Sequence, residues 1–156
     1  MSRAFCVSEP AGAALDGLAE LLAGAGIGLT TVAPSAHQAL PFRVLAAHGG
    51  RVGLGSDGVR DSWSPFGNAD MLHRTHLPGW TTDARTDGEP AECFAPASAG
   101  HGELLGPAVA DLSPGSPADF LPVEGECLPQ VAVDLPRRDL AVRAGRVVAR
   151  DGRCTG

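Results

Sequence analysis

The chain has 156 residues, a formal net charge of −6, 12 basic residues that are all arginine, no tyrosine and a hydrophobic content of 44%. That apolar fraction supports a core and excludes wholesale disorder, and the length fits one domain of ordinary size. The arginines are scattered, which disfavours nucleic acid as a partner, and no apolar run approaches the roughly 18 residues of a membrane span. With 21 Gly and 13 Pro, a single domain must be rich in loops. Residues 1–7 carry one arginine and no long apolar stretch behind it, so they do not read as a secretory signal. Cys6, Cys93, Cys127 and Cys154 show no CxxC spacing. Neither a zinc knuckle nor a redox pair is expected; reduced thiols in a cytoplasmic protein are.

The predicted elements follow in chain order. Arg3–Val7 is short and apolar and predicts the end of a strand. Leu15, Leu18, Leu21 and Leu22 recur at helical spacing between Pro10 and Gly26, which predicts a helix over 11–25. Residues 27–33 are β-branched and largely apolar and predict a buried strand. A short helix over 42–48, closed by Gly49-Gly50, precedes a second strand over 51–56, and Asp57 stands at that strand's C-terminal end. Strand, helix, strand, helix, strand with short connections implies βαβ units and a parallel sheet. Acidic or polar residues just past the C-terminal ends of such strands are where α/β sites are built. Asp57 is therefore a candidate on position alone.

A turn-rich loop over 58–67 follows. Asn68 predicts the N-cap of a helix through Asp70, Met71, Leu72 and Leu77, stopped by Pro78-Gly79. Residues 81–117 are rich in breakers, with a weak helix over 91–105 interrupted by Pro96. The tail predicts short strands over 118–123, 131–135, 140–144 and 146–150, with Ala144-Gly145 as a tight hairpin turn.

The run from Val52 through Ser56-Asp57-Gly58 and Trp63 to Leu72 resembles the last barrel strand of the metal-dependent amidohydrolases, most closely the cytosine deaminase branch. Two stretches of the tail are similar to the same family: Ser113-Pro114-Gly115-Ser116-Pro117-Ala118-Asp119-Phe120, and the closing hairpin Arg143 to Gly152. The resemblance implies an α/β fold, a (β/α)8 barrel with a small β-sandwich. Because a whole barrel takes roughly 250 residues, it implies only the last three strands with their helices (residues 1–110) and the C-terminal sandwich strands (111–156). It further implies hydrolysis of a non-peptide carbon–nitrogen bond in a small heterocyclic or amide substrate, with water activated by zinc or iron. Asp57 matches the carboxylate that ends the last strand, as metal ligand and proton-transfer group. Trp63 matches a loop aromatic that flanks the heterocycle.

The family's His-x-His pair, and its middle-strand His with a nearby Glu, are absent from these residues. About three protein ligands are needed around a catalytic zinc, so binding of metal by Asp57 alone is not expected. Ser2-Arg3 stands where similar sequences carry Ser-His, and Gly58 where cytosine deaminases often carry a second Asp. Arg cannot serve as a neutral ligand.

Blander roles stand beside these. Trp63 would equally pack its loop on the next helix, and Asp57 alone could cap a turn. His73 and His76, three apart on one helix, read as surface or sandwich-contact residues rather than a metal pair. His37, His48, His101, Asp61, Asp70, Glu103 and Glu124 carry no partner signal. Pro78, Pro96 and Pro122 fall inside predicted elements, where proline costs about 3 kcal/mol of helix or a ladder donor. This predicts a truncated, decaying copy. Two functions follow: an enzyme portion that needs a complementary polypeptide, or a non-catalytic remnant that partners full-length relatives. In either case association through exposed barrel edges is expected.

Overall fold

Glycines close the first two helices in the same way. The helix α1 (Ala13–Gly24) ends at Gly26, whose φ of 65° lets Ile27 donate back to the Leu22 carbonyl at 2.9 Å. The helix α2 (Phe42–Ala47) ends at Gly49, with φ 77°, and Gly50 donates to the Leu45 carbonyl at 2.8 Å. Both are six-to-one closures that need a left-handed residue, which glycine supplies without penalty. Each returns the chain to a strand, β1 (Leu29–Thr31) and β2 (Val52–Leu54). The two strands pair in parallel, Leu29 opposite Val52 and Thr31 opposite Leu54. The computed structural model describes residues 5–31, 40–62, 65–106 and 111–155.

The remaining elements are α3 (Met71–Thr81), α4 (Gly88–Phe94), α5 (Ala99–Leu105), α6 (Leu128–Asp134), β3 (Leu140–Arg143), β4 (Arg146–Arg150) and β5 (Arg153–Cys154). β3, β4 and β5 form an antiparallel sheet in that order. Its two turns, Ala144-Gly145 and Asp151-Gly152, have positive φ at both residues, the mirror-image turn that matches strand twist.

The core sits where α1 and α2 cover one face of the parallel pair. Ala19 and Leu45, 0% and 1% exposed, pack with Val7, Leu29, Phe42, Val52 and Cys93. Leu15, Leu18, Ala19 and Leu22 share the inward stripe of α1, whereas Leu21 is 73% exposed. Burial raises the Cys93 thiol pKa, with Arg43 nearby opposing the shift. All four cysteines are unbridged.

Several expectations change. Residues 5–8 form a 3-10 turn rather than a strand end. Asp70, not Asn68, caps α3: its Oδ1 accepts from the backbone N–H of Leu72 and His73 at 3.0 and 3.2 Å. Asn68 instead accepts from the Asp70 N–H, bending the chain one step earlier. Pro78 does not stop α3, which runs through it to Thr81; Pro78 is buried, and its packing offsets the lost donor. Its carbonyl accepts from the Thr82 backbone N–H and side-chain hydroxyl. Pro96 sits at the start of a 3-10 turn, Ala95–Ala97, that separates α4 from α5. Its missing N–H is not required there.

Residues 118–123 reduce to an isolated bridge, Phe120 with Val142, just before Pro122. Residues 131–135 are not a strand. They lie in and just after α6, which opens with Pro129 in its first turn and buries Val131 and Ala132. Pro78 and Pro96 thus lie where the surrounding structure accommodates them.

Truncating Leu45 to Ala should cost about 2–5 kcal/mol, while Leu21→Ala should stay within about 0.5 kcal/mol of the parent; urea unfolding distinguishes them. At the start of α4, Glu89 accepts from the backbone N–H of Thr86 and Arg85 and from the Thr86 hydroxyl. These bonds, led by that from the Thr86 N–H, hold its pKa at about 2. A carboxylate lowered in the folded state stabilises above its ordinary pKa and loses that contribution as pH falls through the folded value. Stability should therefore drop between about pH 4.5 and 2 in the parent, and less steeply in Glu89→Gln, by chemical unfolding across that range.

Candidate functional site

β2 releases the chain at Leu54, and Asp57 follows three residues later on the surface. The strand is tied to β1 up to that point: Gly55 donates to the Thr31 carbonyl at 2.9 Å. Arg74, one turn into α3, donates from Nη2 to the Ser56 carbonyl at 3.2 Å. The residue before Asp57 is thus held from the following helix. The Ser56 hydroxyl and His73 Nδ1 are buried without a hydrogen-bond partner among the described residues.

Asp57 itself has φ 53°. Left-handed backbone costs an ordinary residue about 1–2 kcal/mol, and Asp and Asn tolerate it best. Arg60 and Ala69 of the same loop are also left-handed. The loop folds tightly on itself: Arg60 donates to the Phe66 carbonyl at 3.1 Å, and a Cβ at Gly67 would stand 2.5 Å from the Gly58 carbonyl. A Cβ at Gly58 would lie 2.5 Å from an Asp61 carboxylate oxygen. Gly58 therefore leaves room for the Asp61 carboxylate in its present position. Trp63 lies outside the described residues, as does His37.

The other candidates scatter. His76 Nδ1 lies 3.4 Å from the Ala132 carbonyl of α6 and its ring stacks on Trp80. His48 pairs with Asp16 at 3.1 Å and Glu20 at 3.7 Å, and His101 contacts the Leu54 carbonyl. Asp70 caps α3 and pairs with Arg138. Glu103 and Glu124 are exposed. Among the described residues no group of three or more His, Cys, Asp or Glu could hold a metal ion, so the donor set around Asp57 does not by itself fit a zinc or iron centre. An open groove of about 1040 Å³ between α3, α6 and β3 is lined by Asp70, Phe120, Leu128, Val131 and Arg138, and not by Asp57.

Arg74 was missed from the sequence. Its signal was spacing: it follows the Asp70 cap by four residues, where a long side chain can reach back toward the strand end.

No family model matches the chain. In sequence it is 26% identical over 152 residues to N-isopropylammelide isopropyl amidohydrolase of Pseudomonas sp. (strain ADP), covering 96% of this chain and 38% of that protein. It superposes on the crystal structure of N-isopropylammelide isopropylaminohydrolase from Burkholderia multivorans ATCC 17616 with a TM-score of 0.92 at 34% identity, over 99% of this chain and 40% of that one. The chain belongs to the amidohydrolase superfamily. It matches the C-terminal 40% of such proteins. The same fold recurs in 5-methylcytosine deaminase from Klebsiella pneumoniae, with a TM-score of 0.80 at 18% identity, over 96% of this chain and 40% of that one. The chain spans about 40% of the length of the amidohydrolases it matches.

Asn accepts the left-handed backbone as Asp does, whereas a β-branched residue does not. Asp57→Val should unfold about 1–2 kcal/mol more easily than Asp57→Asn. Equal urea midpoints for the two variants would contradict the geometry.

Proposed function

We propose that the chain is the C-terminal part of an amidohydrolase that hydrolyses a non-peptide carbon–nitrogen bond of a small nitrogen heterocycle, by deamination as in the cytosine deaminase-like branch. Asp57 is then the carboxylate that the last barrel strand gives to a divalent-metal site, zinc or iron, and to proton transfer. The observation that carries this reading is the position of Asp57, just past the C-terminal end of a parallel strand. That strand belongs to a chain superposing over 99% of its length on a relative 34% identical to it. The described residues do not complete a metal site; on this reading the remaining ligands are supplied from outside them.

The chain's own contribution is positional. Arg74 and the Gly55–Thr31 bond hold the two residues between the strand end and Asp57. Trp63 offers a flat face on which a heterocycle stacks. On this reading residues 1–110 are the last three barrel strands with their helices, and 111–156, with the sheet β3-β4-β5, belong to the small sandwich. Four unbridged cysteines support a reducing, cytoplasmic location. Among the described residues no helix is long and apolar enough to cross a membrane.

The second reading, a non-catalytic partner of a full-length amidohydrolase, is favoured by the absence of a metal-holding cluster among the described residues. One experiment separates the two. The chain is combined with a polypeptide covering the preceding residues of the Burkholderia enzyme, with Zn²⁺ or Fe²⁺, and assayed on N-isopropylammelide and cytosine. The catalytic reading expects hydrolysis only in the mixture. It also expects Asp57→Asn to lower the rate by more than about 100-fold, the upper range for loss of even a supporting group in a metal site. Association without hydrolysis supports the second reading. Hydrolysis that Asp57→Asn leaves unchanged contradicts the role of Asp57.

A further inference from the structure

α5 lies where a strand would be expected. Parallel pairing turns successive peptide groups of a strand to opposite edges. Arg51 accepts from Leu29 and Gly55 donates to Thr31, so these groups face β1. The peptide groups of Val52 and Leu54 therefore face the other edge, where a third parallel strand would bond. α5 takes that place. His101 Nδ1 contacts the Leu54 carbonyl oxygen, and Gly100 is so close to the Val52 carbonyl that a Cβ there would collide with it.

One turn on, Leu104 lies over the sheet face that carries Gly28 and Gly53. A Cβ at Gly53 would stand 2.8 Å from Leu104 Cδ1, and one at Gly28 would overlap the Leu104 side chain. None of Gly28, Gly53 and Gly100 has a positive φ. Their lack of a side chain serves the approach of this helix and not a turn. The same helix is weakly held: it has seven residues, none of them buried. That is too short to persist without its contacts and typical of segments that open locally.

We propose that α5 is a displaceable edge cover. It closes the pairing edge of β2 and must leave before any further strand, from a longer chain or another polypeptide, can pair there. Covering an edge with a helix is a known defence against strand addition. The inference stands on the geometry of α5 and does not depend on Asp57 binding metal.

The test uses the labelled wild-type chain and Gly100→Val, with Gly24→Ala, where a Cβ meets open space, as control. A ring nitrogen that donates to the Leu54 carbonyl must carry the proton. Long-range proton–nitrogen spectra of neutral His101 should therefore show the Nδ1–H tautomer, the minor form of free histidine, in the wild type and the control. In Gly100→Val that tautomer should be lost and the Leu54 amide should exchange at least tenfold faster. The amide of Leu29 should keep its protection, and the variant should associate as its concentration rises. A wild-type His101 in the Nε2–H form overturns the proposal whether or not the variant folds. So does a folded Gly100→Val chain that neither exchanges faster at Leu54 nor associates.

Discussion

Leu29 donates to the Arg51 carbonyl and Gly55 donates to that of Thr31, and between these two hydrogen bonds the parallel register of β1 and β2 is fixed. Register in a strand decides which side chains face the core, because a slip of one residue inverts every face. In this register Leu29, Val52 and Leu54 are buried, with Leu29 and Val52 packed beside Ala19, Phe42 and Leu45. The opposite face presents Gly28, Thr30 and Gly53, flat enough at its glycines for α5 to lie against it. The last ladder bond ends two residues before Asp57. The position of the candidate carboxylate is thus a consequence of how two three-residue strands align.

Beyond the strand end, responsibility passes to α3. Asp70 caps that helix and pairs with Arg138, which ties its start to the segment after α6. Arg74, one turn later, holds the Ser56 carbonyl. A chain reversal rich in left-handed residues is costly to keep in one conformation, and here it is clamped at both ends by groups with other work in the fold. The loop can therefore carry Asp57 in strained backbone on the protein surface. This division, a rigid frame with the chemistry at its rim, is the usual one in α/β proteins.

The sequence carried α1, α2, the parallel pair and the β3–β4 hairpin because each rests on local signals: leucine spacing, a glycine closure, β-branched runs, and a turn of two residues. It misled where two local signals competed. Asn68 and Asp70 are both good caps, and the free N–H groups of Leu72 and His73 meet Asp70. Val131, Val133 and Leu135 alternate like a strand, yet Pro129 opens a helix there. β5 was readable and overlooked, since Asp151-Gly152 is as strong a hairpin turn as Ala144-Gly145. The strand end that Asp57 follows was legible from the β-branched and apolar run before it. The seating of α5 on β2 was not, because Gly28, Gly53 and Gly100 are brought together only by the fold, and a glycine needed for space looks like any other glycine.

If the β1–β2 register fixes the position of Asp57, amide exchange at Gly55 reports it, because the bond from Gly55 to Thr31 lies nearest to Asp57 along the chain. Gly55 and Leu29 should exchange only through global unfolding, together and among the slowest amides of the chain, and both should accelerate equally in Leu45→Ala. Exchange of Gly55 through local opening, at a rate independent of the Leu45 substitution, would contradict it.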